Sequence, residues 1–285
     1  NINLDKFRDA AGGKLPEDMP LFDKNFTDVV LKIKNKEVDI FNTEFIELYE
    51  EFCVWGGYPI VVLAEKKERQ KLLADIYNNY ILKDIKTLLE LATEKNLFLL
   101  SQYLAAQISN LLVYQNLSQV SNLNYRELIK HLNILKETFV LSELRPFSKF
   151  KQKELSRAPK IFFLDLGFRN NLVENFNGLA GRSDAGAIIE NSVFVRLNEL
   201  CENFNALSFW RTKAGAEVDF ILRTHGQILP IEVKYSQFNN GKISKSLASF
   251  INSVAPEHPL VLNKNFPGKS KKGRTEIVFI PIYYL

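Results

Sequence analysis

The chain has few cysteines, the residues on which small secreted domains and many zinc modules depend. It contains only two cysteines, Cys53 and Cys201, among its 285 residues. One potential pair makes no disulfide framework, and the separation of the two residues matches no zinc-ligand spacing. We therefore expect a protein of the reducing cytoplasm, and we expect Cys201 to pack in a core.

Long apolar runs are also missing from the sequence. No stretch approaches the roughly 18 residues that span a membrane, and we expect no signal peptide. We therefore expect no membrane partner.

A nucleotide-binding phosphate loop is absent as well. The pattern GxxxxGK[ST] does not occur, and the Ala-Gly-Gly-Lys segment at residues 11–14 has no strand before it and no hydroxyl residue after it. We interpret Gly12 and Gly13 as a turn. Because such a loop is what cradles the phosphates of ATP, we expect no ATP site in this chain.

The sequence that remains has an ordinary globular composition. Hydrophobic residues make up 46% and charged residues 25%, which is typical of soluble domains. A chain of 285 residues can form two or three domains with cores. The net charge of +4 is too small to establish a nucleic-acid partner by itself. The predicted fold class is α/β, with more than one domain.

We predict three regions along the chain. Residues 1–95 have the pattern of a helical lid or linker, residues 96–172 that of a winged helix, and residues 173–285 that of an α/β domain. In the middle region three short helices precede two extended segments, which is the winged-helix order. Asn124 is predicted to cap the third of these helices.

The third helix is the element that would read DNA if this region bound it. Its candidate contact residues, all predicted to be exposed, are Arg126, Lys130, His131 and Lys136. Glu127 and Glu137 on the same helix oppose these cations. A contact with another protein and a spacer role therefore stay open as alternatives.

Two basic segments have a less specific pattern. Residues 149–160 and residues 263–274 are dense in Lys and Arg. Each is predicted to be a solvated surface loop, with phosphate contact as the alternative. Asp165 ends an extended segment before a predicted turn at Gly167, and we expect it to be structural rather than catalytic.

A helix is predicted over residues 187–204, with Glu190 on its apolar side. At about 100° per residue, four residues fall on the same side as this carboxylate: Val193, Phe194, Leu197 and Cys201. A carboxylate within an apolar stripe is costly to bury unless something pairs with it. Glu190 is therefore a candidate site residue.

A β-hairpin is predicted to follow this helix. Residues 216–224 and residues 227–236 have the composition of strands, and His225 and Gly226 between them suit a turn.

Alternation along the two strands separates acidic residues from apolar ones. Glu217 and Asp219 fall on one face of the first strand, and Glu232 and Lys234 share one face of the second. We expect Asp219, Glu232 and Lys234 to converge, because the opposite faces of both strands are apolar.

These residue types suit metal-dependent hydrolysis. Glu190, Asp219 and Glu232 are predicted to bind Mg²⁺, with Mn²⁺ as a possible substitute, because hard cations prefer carboxylate oxygens. Lys234 is predicted to orient the attacking water or to stabilise charge on a phosphate. A Glu-x-Lys alone is a weak signal, but here it follows two acids in a consistent order.

Several segments of the chain resemble a known family. They are CVWGGYP at 53–59, YILKDI at 80–85, FFLDLGFRNNL at 162–172, IIENSVFVRLNEL at 188–200, FWRTKAGAEVDFIL at 209–222 and LPIEVK at 229–234. From about Phe45 to its end, the chain resembles the C-terminal part of bacterial and archaeal AAA-type ATPases. These proteins carry a C-terminal domain of unknown function with a restriction-endonuclease-like, or PD-(D/E)xK, fold.

The resemblance implies where a nuclease-like site lies. Its positions fall on Glu190, Asp219, Glu232 and Lys234, and Val218 stands where the usual motif has proline. It also implies an N-terminal ATPase module that binds ATP, which this sequence does not contain. We expect the first residues of the chain to follow such a module.

We expect a nuclease that acts on DNA or RNA. The alternative is a non-catalytic module that keeps the nuclease fold and contacts DNA, a protein partner or a second copy of itself. A sequence-specific DNA-binding regulator is a third possibility, which the acidic residues of the predicted reading helix disfavour.

Overall fold

The protein is a mixed α/β structure, as the sequence predicts. The computed structural model describes residues 40–79, 94–148, 152, 154, 157–201, 206–224, 227–256 and 258–285. Within these ranges, every helix is too short or too polar to cross a membrane. The predicted turn at Gly12 and Gly13 lies outside the described residues, as do parts of the predicted lid and of the 149–160 segment.

The chain divides into two compact units. Residues 49–209 form the first, here called the helical unit. Residues 210–285, with residues up to 48, form the second, here called the sheet unit. The predicted domain boundaries after residues 95 and 172 stay a prediction.

The helical unit contains most of the helices and a small sheet. Its elements in chain order are α1 (Ile40–Trp55, which begins in the sheet unit), α2 (Pro59–Val62), α3 (Lys66–Ile76), α4 (Glu94–Ala106), α5 (Tyr114–Ser121), α6 (Tyr125–Glu137), β1 (Leu141–Leu144), β2 (Lys160–Phe163), α7 (Leu166–Leu172) and α8 (Ala185–Leu200). The strands β1 and β2 pair antiparallel, with Leu141 opposite Phe163.

The start of α6 confirms the predicted cap. The Asn124 side chain accepts a hydrogen bond from the Glu127 N–H, and the Glu127 carboxylate accepts one from the Asn124 N–H, each at 3.0 Å. This reciprocal pair satisfies two backbone donors that a helix start leaves open.

The predicted exposure of α6 is wrong at two positions, since His131 is buried and Lys136 is half-buried in a pair with Glu143 at 3.1 Å. Arg126 and Lys130 are exposed, and the His131 Nδ1 lies 2.7 Å from the carbonyl oxygen of Glu127. His131 faces inward because it follows the buried Leu128 by three residues, which places both on one side of the helix.

The basic segment ending at Lys160 also differs from its prediction. Lys160 opens β2 and is 2% exposed, so it is not part of a solvated loop. Its ammonium group pairs with Glu190 of α8 at 2.8 Å and lies 5.4 Å from the centre of the Phe209 ring.

Asp165 has the structural role that we expected. It caps α7 by accepting the Phe168 N–H at 2.7 Å, and it also accepts the Gly57 N–H at 2.8 Å. Gly56 has a φ of +76°, and a Cβ there would lie 2.3 Å from an oxygen of Asp165, so only glycine fits. The predicted turn at Gly167 is wrong, since this residue lies within α7.

The main sheet has six strands in the order β3-β4-β5-β6-β8-β7. Their bounds are β3 (Leu207–Arg211), β4 (Glu217–Thr224), β5 (Gln227–Lys234), β6 (Leu260–Asn263), β7 (Gly268–Lys272) and β8 (Thr275–Pro281). The division between the two units falls within β3, before Trp210.

The hairpin prediction is confirmed. β4 and β5 pair antiparallel, with Thr224 opposite Gln227. The two predicted turn residues between them, His225 and Gly226, lie outside the described residues. β5 then pairs in parallel with β6, and β6 pairs in parallel with β8. The pair β4–β5 is therefore internal to the sheet.

The helix α9 (Lys245–Val254) covers part of this sheet. It buries Leu247, Phe250 and Ile251, and the Phe250 ring packs edge-on against Trp210, with ring centroids 5.3 Å apart. Its N-terminal residues lie beside β4, because the Glu217 N–H donates to the Ser246 hydroxyl at 3.2 Å.

The lysine-rich segment 263–274 was predicted to be a loop, but part of it is a strand. Gly268–Lys272 forms the edge strand β7, which pairs antiparallel with β8. The Lys269 ammonium lies 3.4 Å from the Glu276 carboxylate of that neighbour. Charged residues are suited to an edge strand, since they discourage pairing with another chain.

Candidate functional site

The candidate site of the sheet unit lies on the β4–β5 hairpin. Val218 and Phe220 are fully buried, whereas Asp219 between them is half-buried. This alternation follows from the pleat of a strand, in which successive side chains point to opposite faces.

Asp219 reaches across to β5. One of its carboxylate oxygens accepts a hydrogen bond from the Val233 N–H at 2.7 Å. Val233 lies between Glu232 and Lys234, so this contact holds the Asp219 carboxylate beside the Glu-x-Lys segment. The hydrogen bond also fixes the direction of the carboxylate, because its acceptor oxygen is anchored to backbone.

Glu232 is the most buried acid of the hairpin, at 3% exposure. Burial raises the pKa of its carboxyl above the ordinary value, and the nearby charge of Asp219 adds to the rise. The Ser244 hydroxyl and the Lys234 ammonium group oppose that rise by stabilising the ionised form.

Lys234 keeps contact with solvent. Its side chain is 49% exposed, and its ammonium nitrogen lies 3.6 Å from a Glu232 oxygen. A lysine placed in this way can still reach a ligand, because its flexible stem and three donors are not enclosed.

Glu217 and Ser244 also lie close to the acids of the hairpin, and neither was among our predicted site residues. A Glu217 oxygen lies within 4.8 Å of an Asp219 oxygen, and the Glu217 carboxylate also pairs with Arg211 at 2.6 Å. Ser244 caps α9 by accepting the Leu247 N–H at 3.0 Å.

The sequence did carry a signal for Glu217, because it precedes Asp219 by two residues on the same strand face. It carried none for the contact of Ser244 with Glu232, which depends on how α9 packs.

Glu190 belongs to the helical unit. Its side chain is 15% exposed and pairs with the buried Lys160. The apolar stripe predicted around it is largely confirmed, since Val193, Phe194 and Leu197 are buried. Cys201 is only half-buried and follows the end of α8. Assignment of Glu190 as a metal ligand stays a prediction.

The residues of the hairpin fit a divalent cation. Asp219 and Glu232 offer carboxylate oxygens, the ligands that Mg²⁺ and Mn²⁺ accept. Burial raises the pKa of Glu232, and the Ser244 hydroxyl and Lys234 ammonium offset the cost of its charge only in part. A cation held by the hairpin would offset more of this cost.

The fold and the site thus define a mixed α/β protein with an acidic hairpin in its main sheet. The chain matches two family models. Residues 185–285 match "Domain of unknown function (DUF4143)", and residues 46–179 match "Domain of unknown function (DUF8612)".

Curated relatives are bacterial. An uncharacterized protein of Haemophilus influenzae is 26% identical over 208 residues, which is 70% of this chain and 49% of the relative. An uncharacterized protein of Mycobacterium tuberculosis is 29% identical over 122 residues, 42% of this chain and 27% of the relative. A Mycobacterium bovis protein matches to the same extent. The chain therefore spans about half of the first relative and about a quarter of the other two.

Replacing Glu232 by glutamine should leave the metal-free protein at least as stable as the wild type at neutral pH. The folded-state pKa of Glu232 is raised. Its ionisation therefore costs folding free energy as the pH rises through that pKa. Glutamine removes this cost, so the advantage of the variant should grow with rising pH and vanish in acid, where Glu232 is protonated in both states.

Thermal melts of the two proteins with a chelator, between about pH 4 and pH 8, measure this difference. A glutamine variant that is less stable than the wild type, by the same amount at every pH, would show that the hydrogen bonds of Glu232 outweigh the cost of its charge.

Proposed function

We propose that the β4–β5 hairpin binds a divalent cation and that the protein hydrolyses phosphodiester bonds of DNA or RNA. The observation that carries the proposal is the buried Glu232 carboxylate, which lies near Asp219 on the same hairpin as the half-exposed Lys234. Structural acids are seldom buried next to a second acid, because each charge raises the cost of the other.

Each residue has a distinct role in this proposal. Asp219 and Glu232 hold the cation, and the Val233 N–H and Ser244 hydroxyl orient their carboxylates. Lys234 donates hydrogen bonds to a phosphate oxygen, where negative charge increases as water attacks phosphorus. When bound, Mg²⁺ supplies a more acidic water and neutralises phosphate charge.

The wider architecture is proposed on the resemblance of the sequence segments. We propose that the α/β portion has the restriction-endonuclease-like fold and that α4–α6 with β1 and β2 form a winged helix. The order of those elements, three helices and then an antiparallel strand pair, supports the second assignment. Attachment to an AAA-type ATPase module is likewise proposed, since DUF4143 is often found with AAA ATPase domains. The cytoplasm is the compartment proposed for it.

A second candidate function is a non-catalytic interaction module. The observation in its favour is that two acids of the hairpin already have cationic partners. Glu232 lies 3.6 Å from Lys234, and Glu217 lies 2.6 Å from Arg211. Such ion pairs also stabilise surfaces that contact only a protein or DNA.

Calorimetric titration with Mn²⁺ tests the cation site. Asp219→Asn should weaken Mn²⁺ binding by at least about tenfold, since it removes one of two proposed charged ligands. The fold should persist, because the asparagine oxygen can still accept the Val233 N–H. Glu276→Gln is the matched control, as it removes an acid of the edge-strand pair in the same unit.

Cleavage assays on linear, circular and single-stranded DNA and on RNA separate the two functions. We expect hydrolysis that requires Mg²⁺ or Mn²⁺ and is lost in Asp219→Asn. Metal binding without cleavage of any substrate would favour the interaction module. Equal Mn²⁺ binding by wild type and Asp219→Asn would remove Asp219 from the site. Glu190→Gln in the same titration tests the prediction that Glu190 is a third ligand.

A further inference from the structure

The helical unit contains an open groove with polar lining residues and a volume of about 910 Å³. Three lysines line it, Lys67 and Lys71 from α3 and Lys95 from α4, together with one acid, Glu174. We call it the lysine groove. Its lining carries three positive charges against one negative charge, and its size is at the upper end of ligand sites, which are roughly 300–1,000 Å³.

The lysines are available to an anion. Lys71 and Lys95 are exposed, and neither pairs with a carboxylate of the described part of the chain. Lys67 lies 2.8 Å from Glu65, but both side chains are more than two-thirds exposed. A surface ion pair of this kind is weak and is readily exchanged for another anion.

Lys67 and Lys71 are also correctly spaced to act together. They are four residues apart on one helix, so they project from the same face in successive turns, with Cβ atoms about 5–6 Å apart. Lys95, from another helix, adds a third cation to the same groove. The arrangement suits an extended chain of negative charges rather than one isolated ion.

The remaining lining favours nucleic acid over an acidic peptide. Gln70, Asn78 and Asn171 contribute amide groups, which both donate and accept hydrogen bonds and so match base edges as well as phosphates. The Phe98 ring is half-buried and is held edge-on by Tyr77, with ring centroids 5.7 Å apart. It offers an apolar surface to a base.

We propose that the lysine groove binds single-stranded nucleic acid through its phosphates, with little dependence on sequence. This inference takes its class of partner from the proposed function but does not depend on cleavage. It also assigns the contact to residues other than those of the segments 149–160 and 263–274, for which the sequence alone suggested phosphate binding as an alternative.

Fluorescence anisotropy with labelled oligo(dT) and oligo(rU) of about 16 nucleotides tests the groove. The full chain is titrated in a chelator, so that cleavage cannot contribute. Three phosphate contacts predict a slope of log affinity against log salt near −2, at about −0.7 for each contact. Affinity should thus fall about 20-fold between about 50 mM and about 200 mM salt.

Lys71→Ala and Lys95→Ala should each lower the magnitude of this slope by about 0.7 and weaken both oligonucleotides alike. Lys66→Ala is the matched control, because Lys66 is an exposed lysine of the same helix that does not line the groove. The control removes the same charge, so it accounts for any effect of net charge alone.

Three outcomes overturn the proposal. The first is that the wild type binds neither oligonucleotide at low salt, and the second is that Lys71→Ala and Lys95→Ala bind them as tightly as Lys66→Ala does. The third is that the wild type binds polyglutamate but neither oligonucleotide, which would indicate an acidic protein partner. If Lys71→Ala both cleaves nucleic acid and binds the oligonucleotides like the wild type, the groove proposal is wrong and the nuclease proposal stands. Groove binding by a protein that cleaves nothing would refute only the nuclease.

Discussion

Lys234→Ala should lower the rate of metal-dependent cleavage by on the order of a hundredfold or more. The Lys234 ammonium group lies beside Glu232 on the hairpin that we propose to hold the cation. A donor that contacts charge developing in the transition state contributes typically about 3 kcal/mol, which corresponds to that factor in rate. The fold should change little, because the side chain is about half exposed and contributes little packing.

Single-turnover cleavage, Mn²⁺ titration and thermal melts of the same samples measure the three quantities. Lys242→Ala, which removes an exposed lysine of the same unit, is the matched control. A variant that keeps wild-type Mn²⁺ affinity and melting temperature but loses cleavage supports the catalytic role. If Lys234→Ala cleaves as fast as the control, Lys234 has no such role.

Glu190→Ala should destabilise the protein by about 3 kcal/mol, because it leaves the buried Lys160 without its carboxylate partner. The side chain of Lys160 is only 2% exposed, so water cannot easily replace Glu190. The loss should lie at the lower end of the range for buried pairs, about 3–5 kcal/mol, since Glu190 itself keeps 15% exposure. For a protein of this size we expect a fall in melting temperature of about 6–12 °C.

Denaturant unfolding and thermal melts measure this loss. The double variant Lys160→Met with Glu190→Leu should recover most of it, because removing both charges leaves none buried without a partner. Arg196→Ala, on the same helix but in an exposed pair with Glu199, should change stability by less than about 1 kcal/mol. A cost of Glu190→Ala no larger than that of Arg196→Ala would show that the buried pair is not important for stability.

Glu190 has an observed partner that the sequence did not reveal. An acid in an apolar stripe needs a partner, and from the sequence we assigned a metal ion to that need. The structure shows Lys160 as one such partner, from a strand 30 residues earlier in the chain. The two roles are compatible, and they differ in readout, since Glu190→Gln affects cation affinity only if Glu190 is a ligand.

Local features of this protein follow from the sequence. The cap at Asn124, a helix over most of Ala185–Leu200 and the antiparallel β4–β5 hairpin were all predicted. Each depends on residues close together in the chain, whose periodicity or capping chemistry is visible without the fold. The same reasoning placed Asp219, Glu232 and Lys234 on one hairpin.

Tertiary contacts decided the features that the sequence could not show. Lys160 appeared to end a solvated loop, but it is buried because β2 pairs with β1 and packs near α8. Segment 263–274 had the composition of a loop, but Gly268–Lys272 is a strand because β8 supplies the backbone partners.

The electrostatics of the candidate site are likewise a tertiary property. Glu232 and Lys234 alternate with apolar residues in the same way, yet one is 3% exposed and the other about half exposed. The sequence determined which groups the hairpin carries. Only the packing of α9 and of the neighbouring strands determined which of them loses water, and hence which pKa is raised, because desolvation depends on residues that are distant in the chain.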